Sequence, residues 1–483
     1  MARTQHFPVQ AKIPVYSVGF VNDDLLVYSG GGGAGRSGVT NAIVAARVNI
    51  PGQTIDKLDE LKLSRDEDAP MTMAVNVHKS QIVCGINNPA DQVKSGSNRP
   101  IRIFDYTLAE SGLDEKDASE KSINGGTARP DIKGKQKAPS DQELKLQFAS
   151  AAASLDIRDP EQYVKVAVFS PNARMLAVAS TDGQIALHRY PSLAPVWIDD
   201  ANAVDASIPA DAASLAEEQG TSLSFPSQDF VKDEIYDADF SHSNTHVVFT
   251  SSSKLVVYST SPFAPSSRDG SVVDLDDTAS LPAEGYAQTI QTIKNPALGG
   301  KGPCSFRAAR FGRDTSKEKL FTVVNAAPAG GKGPKAKIRK SFITAWDADS
   351  WDLIETRHVS DRPVTVFDVS PDGKLLAYGS SDLSVGILDA RTLRPVLKIL
   401  HAHDFPPTSL RFNPDSTLLV SASADNTLRV IPIPTKAALD SAASATGALA
   451  FISETRLGFY TTIFVSLLIA ALALWFQRNY LLQ

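Results

Sequence analysis

Hydrophobic and polar residues alternate in short stretches along most of the chain, and turn-forming residues separate these stretches. Three segments show the pattern most clearly: "VKVAVFSPNARMLAVASTDGQIALHRY" from Val164, "VTVFDVSPDGKLLAYGSSDLSVGILDA" from Val364 and "TSLRFNPDSTLLVSASADNTLRVIPIP" from Thr408. Each predicts an apolar strand, a turn with Pro and Asn or Asp, an alternating strand, a second turn with Asp, and a third strand. Repeats of this kind are typical of propeller blades.

Weaker copies of the same order bring the number of repeats to seven. They begin at Val15, Met71, Ile235 and Phe306. The last repeat supplies only three strands, and "FPVQAKI" near the N-terminus can supply the fourth and close the ring. The sequence therefore predicts an all-β fold, a seven-bladed WD-repeat-like β-propeller.

Insertions rich in small, polar and charged residues interrupt the repeats. Such compositions do not bury enough apolar surface to form a core, so we expect solvated loops there. The expected loops are at about 107–148, 198–230, 261–285 and 327–340. With them, the cytosolic propeller domain is predicted to extend over residues 1–435.

The C-terminal region contains a different pattern, "FYTTIFVSLLIAALALWF", which carries no charge from Phe459 to Phe476. As a helix of about 1.5 Å per residue it would nearly cross a bilayer, and aromatic residues lie near both ends. We therefore predict a transmembrane helix over 457–476, after a linker over 436–456 and before a short lumenal tail over 477–483. A buried helix of a globular core is the alternative, which its all-round apolarity disfavours.

Charge and cysteine content narrow the class of protein. The net charge is -6, which argues against a protein that mainly binds nucleic acid. Cys84 and Cys304 are far apart and have no neighbours at metal-ligand spacing, which supports neither a disulfide framework nor a zinc site. We interpret the aspartates in the second turn of the three clearest repeats as residues that fix these turns by hydrogen bonds, and not as catalytic groups. They are Asp182, Asp382 and Asp425.

The stretch "SGGGGAGRSGVTN" is the unusual feature of the first repeat, because it lengthens the connection between the second and third strands to twelve residues, Gly30 to Asn41. Gly30, Gly35, Arg36 and Ser37 fit a phosphate-binding P-loop except that Arg replaces Lys, and a dinucleotide motif also matches. A phosphate-binding loop needs a following helix, whereas β-branched residues follow here. The sequence therefore disfavours a nucleotide-hydrolysing site.

Two interpretations of the glycines remain open on physical grounds. Glycines permit positive φ, so that carbonyl oxygens can turn toward one centre and hold a weakly hydrated cation such as potassium. The alternative is a merely flexible hairpin.

The glycine-rich loop, on an N-terminal blade with a C-terminal membrane segment, resembles that of the endoplasmic-reticulum guanine-nucleotide exchange factors that activate Sar-type small GTPases, the family of the prolactin regulatory element-binding protein. The resemblance implies a loop that potassium stabilises and that inserts into the GTPase. It implies GTPase contacts from eight residues, namely Gly30, Gly31, Gly32, Gly33, Ser37, Gly38, Thr40 and Asn41. Asn41 would be the residue required for exchange, and we expect it to face solvent.

The resemblance implies a function as well as a site. We expect a single-pass protein of the endoplasmic reticulum membrane that exchanges GDP for GTP on a Sar-type small GTPase and thereby starts assembly of the COPII vesicle coat. It would be a catalyst of exchange without covalent chemistry. A membrane-tethered WD-repeat scaffold without exchange activity is the alternative, since it shares every feature except the loop.

Overall fold

The computed structural model describes residues 6–35, 38–110, 142–197, 222–224, 226–231, 233–263, 285–298, 303–327 and 339–434. Seven antiparallel sheets form in this part of the chain. Their innermost strands contact one another in a closed ring, in which each sheet follows the previous one along the chain and the last returns to the first. The predicted all-β, seven-bladed propeller is therefore confirmed.

Blades one and two, from the centre outward, contain four strands each. Blade one consists of β2 (Val15–Phe20), β3 (Leu25–Gly30), β4 (Ala42–Asn49) and β5 (Thr54–Lys62). Blade two consists of β6 (Thr72–Asn76), β7 (Gln81–Gly85), β8 (Ile101–Glu110) and β9 (Gln142–Ala152), with the short helix α1 (Ala90–Ser95) between its second and third strands.

Blades three and four depart from four strands. Blade three has three described strands, β10 (Val164–Phe169), β11 (Met175–Ser180) and β12 (Ile185–Arg189). Blade four has five, because the short β13 (Ser222–Ser224), which precedes helix α2 (Pro226–Asp229), pairs with its outer strand. Its other strands are β14 (Ile235–Phe240), β15 (His246–Ser251), β16 (Lys254–Ser259) and β17 (Ala287–Lys294). One-turn 3₁₀ segments occupy Ser261–Phe263 and Asp314–Ser316.

Blades five to seven complete the ring. Blade five consists of β18 (Cys304–Phe311), β19 (Lys319–Ala326), β20 (Ser341–Asp347) and β21 (Leu353–Ser360). Blade six consists of β22 (Val364–Val369), β23 (Leu375–Ser380), β24 (Val385–Asp389) and β25 (Pro395–Ile399). Blade seven consists of β26 (Pro407–Phe412), β27 (Leu418–Ser423), β28 (Thr427–Pro432) and β1 (Phe7–Gln10).

The N-terminal strand closes the propeller as the sequence predicts. β1 pairs antiparallel with β28, from Phe7 opposite Val430 to Gln10 opposite Thr427. Phe7 is buried in an apolar cluster that joins blades seven and one. The second strands are buried along their length, as in β3 and β11, because apolar layers from neighbouring blades cover both of their faces.

The turn aspartates have the structural role that the sequence predicts. Asp382 accepts the backbone N–H of Ser384 at 3.1 Å, and Asp425 accepts that of Thr427 at 2.9 Å. Asp182 accepts the Ser180 hydroxyl within the same kind of turn.

Strand direction gives the propeller two distinct faces. Connections between the second and third strands of a blade, and connections between blades, lie on one face; the Gly30–Asn41 loop is among them. The chain leaves β28 on the other face, where Ile433 donates its N–H to Thr417 in the turn before β27. The glycine loop and the end of the last blade are therefore on opposite faces.

The expected loops begin and end differently in the structure. Strands β8 and β9 extend into the range 107–148, because their pairing continues to Glu110 opposite Gln142. β13 and α2 lie within the expected loop 198–230. Most of the ranges 261–285 and 327–340, together with the expected linker 436–456, membrane helix 457–476 and tail 477–483, lies outside the described residues. Among the residues described, no helix has the length and apolarity needed to cross a membrane.

Candidate functional site

The glycine-rich loop connects β3 to β4 at the rim of blade one, where the sequence predicts it. Gly30 pairs with Ala42 at the base of the loop, so that the two strands continue up to its first and last residues. The next element is strand β4, so among the loop residues that the structure describes no helix begins. This arrangement disagrees with a phosphate-binding P-loop, as the sequence also indicates.

Two glycines at the base are required by close backbone contacts. A Cβ atom on Gly30 would lie 1.8 Å from the carbonyl oxygen of Pro14. Gly31 has a φ of +143° and donates its N–H to the same carbonyl at 3.0 Å. A Cβ atom on Gly31 would also lie 2.3 Å from Oδ1 of Asn41. These two residues therefore hold the loop against the connection that precedes β2.

The glycines farther out have a different role. Gly33 and Gly38 have φ values of +73° and +77°, and a Cβ atom on either would meet nothing within 4 Å. Their backbone conformation favours glycine, although space is available. Gly32 and Thr40 are half-buried, and Val39 is exposed. Ser37, which the family resemblance assigns to the GTPase-contacting set, lies outside the described residues.

Asn41 is buried, with 1% of its surface exposed, so the expectation that it faces solvent is wrong. Its Oδ1 accepts the backbone N–H of Gly33 at 2.9 Å. Its Nδ2 donates to the carbonyl of Glu67 at 2.9 Å and lies 3.3 Å from that of Ser64 and 3.4 Å from that of Gly33. The backbone of Asn41 also accepts the N–H of Leu63 at 2.8 Å. One side chain thus joins the loop to the connection between blades one and two.

That connection is itself tied to blade two. Nη2 of Arg102, on β8, lies 2.6 Å from Oε1 of Glu67, and the two side chains are only 12% and 17% exposed. Charge-assisted hydrogen bonds of this kind are shorter and stronger than neutral ones. Sequence reasoning did not find Glu67 or Arg102, because residues 35 apart along the chain show no common pattern before the fold brings them together.

The oxygen atoms that the loop offers are mainly uncharged backbone carbonyls, the ligand type that suits a monovalent cation. The loop contains no carboxylate, and its positive-φ glycines turn backbone carbonyls out of the usual alternation. Three carbonyls converge near Nδ2 of Asn41, so the amide already occupies that centre. Among the described residues, no group of three or more His, Cys, Asp or Glu side chains is arranged to hold a metal ion.

The seventh blade carries a network of side-chain hydrogen bonds around His403. His403 bonds the hydroxyls of Thr427 through Nδ1 and Ser421 through Nε2, both at 2.8 Å. Nδ1 also lies 3.4 Å from Oδ2 of Asp425. The family of WD domains with G-beta repeats matches residues 394–431, which include this network. The fold and this repeat define the chain as a WD-repeat β-propeller.

Two relatives make the similarity more specific. The chain is 29% identical over 179 residues to the guanine nucleotide-exchange factor SEC12 of Candida glabrata, a match that covers 34% of this chain and 38% of that protein. It is 21% identical over 408 residues to the guanine nucleotide-exchange factor SEC12 of Mus musculus, covering 82% of this chain and 80% of the mouse protein. The chain thus spans less than two fifths of the length of the yeast relative in that match. The chain is thus a WD-repeat propeller whose sequence is similar to these two exchange factors.

Proposed function

We propose that the chain is a guanine-nucleotide exchange factor that acts on a small GTPase of the Sar type. The observation that carries the proposal is the glycine-rich loop, which is anchored at its base by Gly30, Gly31 and Asn41 and has an exposed outer part. The two relatives named as exchange factors support the same role.

The loop would work by binding one state of the GTPase more tightly than another. An exchange factor that prefers the nucleotide-free GTPase lowers the affinity of that GTPase for GDP by the same factor. A thousandfold faster release requires about 4 kcal/mol of such preference. A loop whose base is already fixed loses less conformational entropy on binding, so more of the contact energy remains for this preference.

We assign Asn41 a positioning role in this mechanism. Its amide bonds Gly33 and Glu67 inside the protein, so it acts on the GTPase through the shape of the loop. The residues that contact the GTPase are then those of the exposed part, of which the structure describes Ala34, Gly35, Gly38 and Val39.

A potassium ion is the proposed companion of the loop. The amide of Asn41 engages the carbonyls of Gly33, Ser64 and Glu67, so the ion takes its oxygens from other carbonyls between Gly30 and Asn41. When bound, the ion restricts the loop to one conformation. Exchange should be faster in potassium than in lithium at equal ionic strength, and backbone amides of the loop should exchange hydrogen more slowly. Equal behaviour in both salts by both measurements would remove the ion from the proposal.

The membrane of the endoplasmic reticulum is the proposed location, with the propeller on the cytosolic side, where activation of the GTPase would start COPII coat assembly. The apolar segment 457–476 supports attachment to a membrane.

A nucleotide-release assay distinguishes this function from that of a scaffold. The full chain in detergent is added at a tenth of the concentration of a Sar-type GTPase that carries fluorescent GDP, with unlabelled GTP in excess. We expect each propeller to release many nucleotides, at a rate proportional to the concentration of the chain. Binding of the GTPase without faster release would favour the membrane-tethered scaffold and contradict the exchange proposal.

A further inference from the structure

The seven inner strands surround a central channel of about 680 Å³. Five of its lining side chains are lysine or arginine, and three are aspartate. The channel is separate from the glycine loop, and the proposed exchange function does not use it.

Near one end of the channel, the inner strands contain β-bulges. Six of the seven inner strands have a shift in pairing register near the start of the strand, which leaves one residue unpaired and turns its side chain. All six of these residues line the channel: Tyr16, Lys165, Tyr236, Arg307, Thr365 and Thr408. Because they lie near the starts of their strands, they form a ring at the channel mouth on the same face as the glycine loop.

The carboxylates near this ring are already engaged. Oδ1 of Asp237 lies 2.5 Å from Nη1 of Arg310, and Oδ1 of Asp239 lies 2.6 Å from Nη2 of Arg313. Asp368 lies 3.4 Å from Arg411 and also accepts the backbone N–H of Phe412. Glu234, at the rim, pairs with Lys165. Each carboxylate therefore has a cation of its own.

Of the five cations that line the channel, Arg307 is the one that makes no direct ion pair with a described carboxylate. Its guanidinium lies over the ring of Tyr236, 5.1 Å from the centroid, and Nζ of Lys165 lies 4.4 Å from the same centroid. Burial, and then repulsion from Arg307, lowers the pKa of Lys165, although Glu234 opposes this shift. Burial also lowers the pKa of Arg307. Two poorly solvated cations thus lie beside one aromatic ring. Glu234 pairs with Lys165, and Asp237, which pairs with Arg310, also favours the charged form of Arg307.

We propose that this mouth of the channel binds a small oxyanion of the phosphate class, held by Arg307 and Lys165. A guanidinium matches two oxygens of such an anion, and a lysine adds a point charge. The phenol hydroxyl of Tyr16, on the same ring, is a further donor. Thr365 and Thr408 instead donate to backbone carbonyls of the next blade and so hold the ring in shape. The volume of the channel accommodates a diphosphate group.

Pyrophosphate is the probe for this site, because it carries more charge than inorganic phosphate and is free of any larger molecule. We expect the full chain in detergent to bind pyrophosphate at one site by calorimetry, at constant ionic strength. Binding should raise the unfolding temperature above that in chloride. Arg307→Met should bind at least tenfold more weakly.

Two controls distinguish loss of the anion site from loss of folding or of charge in general. Arg307→Met replaces a half-buried charge that makes no direct ion pair with a described carboxylate by an apolar side chain, so in chloride it should unfold at the same temperature as the parent or higher. Arg357, exposed on β21, provides the matched control: Arg357→Met should bind pyrophosphate like the parent. Failure of the parent to bind, or equal binding by the parent and Arg307→Met, would overturn the site.

Discussion

The side chain of Asn41 bonds backbone groups of three residues in two segments, the loop and the connection between blades one and two, which makes it both a structural residue and the residue through which the loop is shaped. Replacing it by alanine leaves buried N–H and carbonyl groups without partners. Each such loss typically costs about 1–3 kcal/mol. A change at Asn41 therefore affects folding and loop geometry together.

We predict that Asn41→Ala lowers the free energy of unfolding by about 1–3 kcal/mol and slows nucleotide release at least tenfold. Denaturant unfolding and the fluorescent release assay should be run on one preparation, at a temperature where both proteins are folded. Asp415→Ala, which removes hydrogen bonds in a turn of the opposite face, is the control for release: it should lose some stability but release nucleotide like the parent. Parent-like stability of Asn41→Ala would contradict the buried network, and parent-like release would contradict the role of the loop.

His403 makes stability depend on pH. Its side chain is fully buried, and burial lowers its pKa to about 4, whereas an unfolded histidine titrates near 6.5. The unfolded chain thus binds a proton that the folded chain excludes, so the stability is complete above pH 6.5 and falls as pH decreases toward 4. We predict a loss of about 2 kcal/mol between pH 7 and pH 5 from this residue.

The contribution of His403 is measured by denaturant unfolding of the parent and of His403→Gln at pH 7 and at pH 5. The variant should be less stable at pH 7 and should lose less stability on acidification. Because other buried histidines also titrate, the difference between the two proteins is the informative quantity. The same pH dependence in both would exclude His403 as its source.

At the scale of elements, the glycines of the loop divide into those that contact their surroundings and those that do not. We predict that Gly31→Ala destabilises the protein by about 2 kcal/mol or more, because its φ of +143° is unfavourable for alanine and its Cβ would meet Asn41. Gly35 is the matched control, since a Cβ there would come no closer than 3.9 Å to another atom.

Gly35→Ala should change the free energy of unfolding by less than about 0.5 kcal/mol. Thermal unfolding and nucleotide release of the two variants give the comparison. A loop that tolerates alanine equally at both positions would not have the fixed base that the structure describes.

Element by element, the sequence predicts the strands and the loop but not the contacts of the loop. Alternation and turn residues locate strands such as β10 and β22, because each follows from neighbouring residues. Burial of Asn41 depends on the carbonyl of Glu67, and that position depends on Arg102 in another blade. Polar contacts between distant segments leave no periodic signal. The ring of unpaired residues in the channel is also missed, since each bulge lies near the start of its strand and leaves the alternation of the following residues intact.

At the scale of the whole molecule, closure of the ring depends on the four residues of β1, Phe7–Gln10. We predict that Phe7→Ala destabilises the entire propeller by about 3–5 kcal/mol, because Phe7 is 6% exposed and joins the first and last blades. Pro8→Ala, at the neighbouring exposed position, should have a small effect. Hydrogen exchange of strands in blades three and four should accelerate only in Phe7→Ala. Acceleration confined to blade seven would show that the ring does not unfold as one unit.

The separation of the glycine loop from the exit of the last blade gives the molecule a polarity. A blade strand of six residues spans roughly 20 Å, so Pro434 and the loop are on opposite sides of a disk of that thickness. Any attachment through the residues after Pro434 therefore holds the propeller by the face opposite the loop. The loop and the channel mouth then face away from the point of attachment. A partner would then approach from the bulk solution and need not pass between the disk and its support.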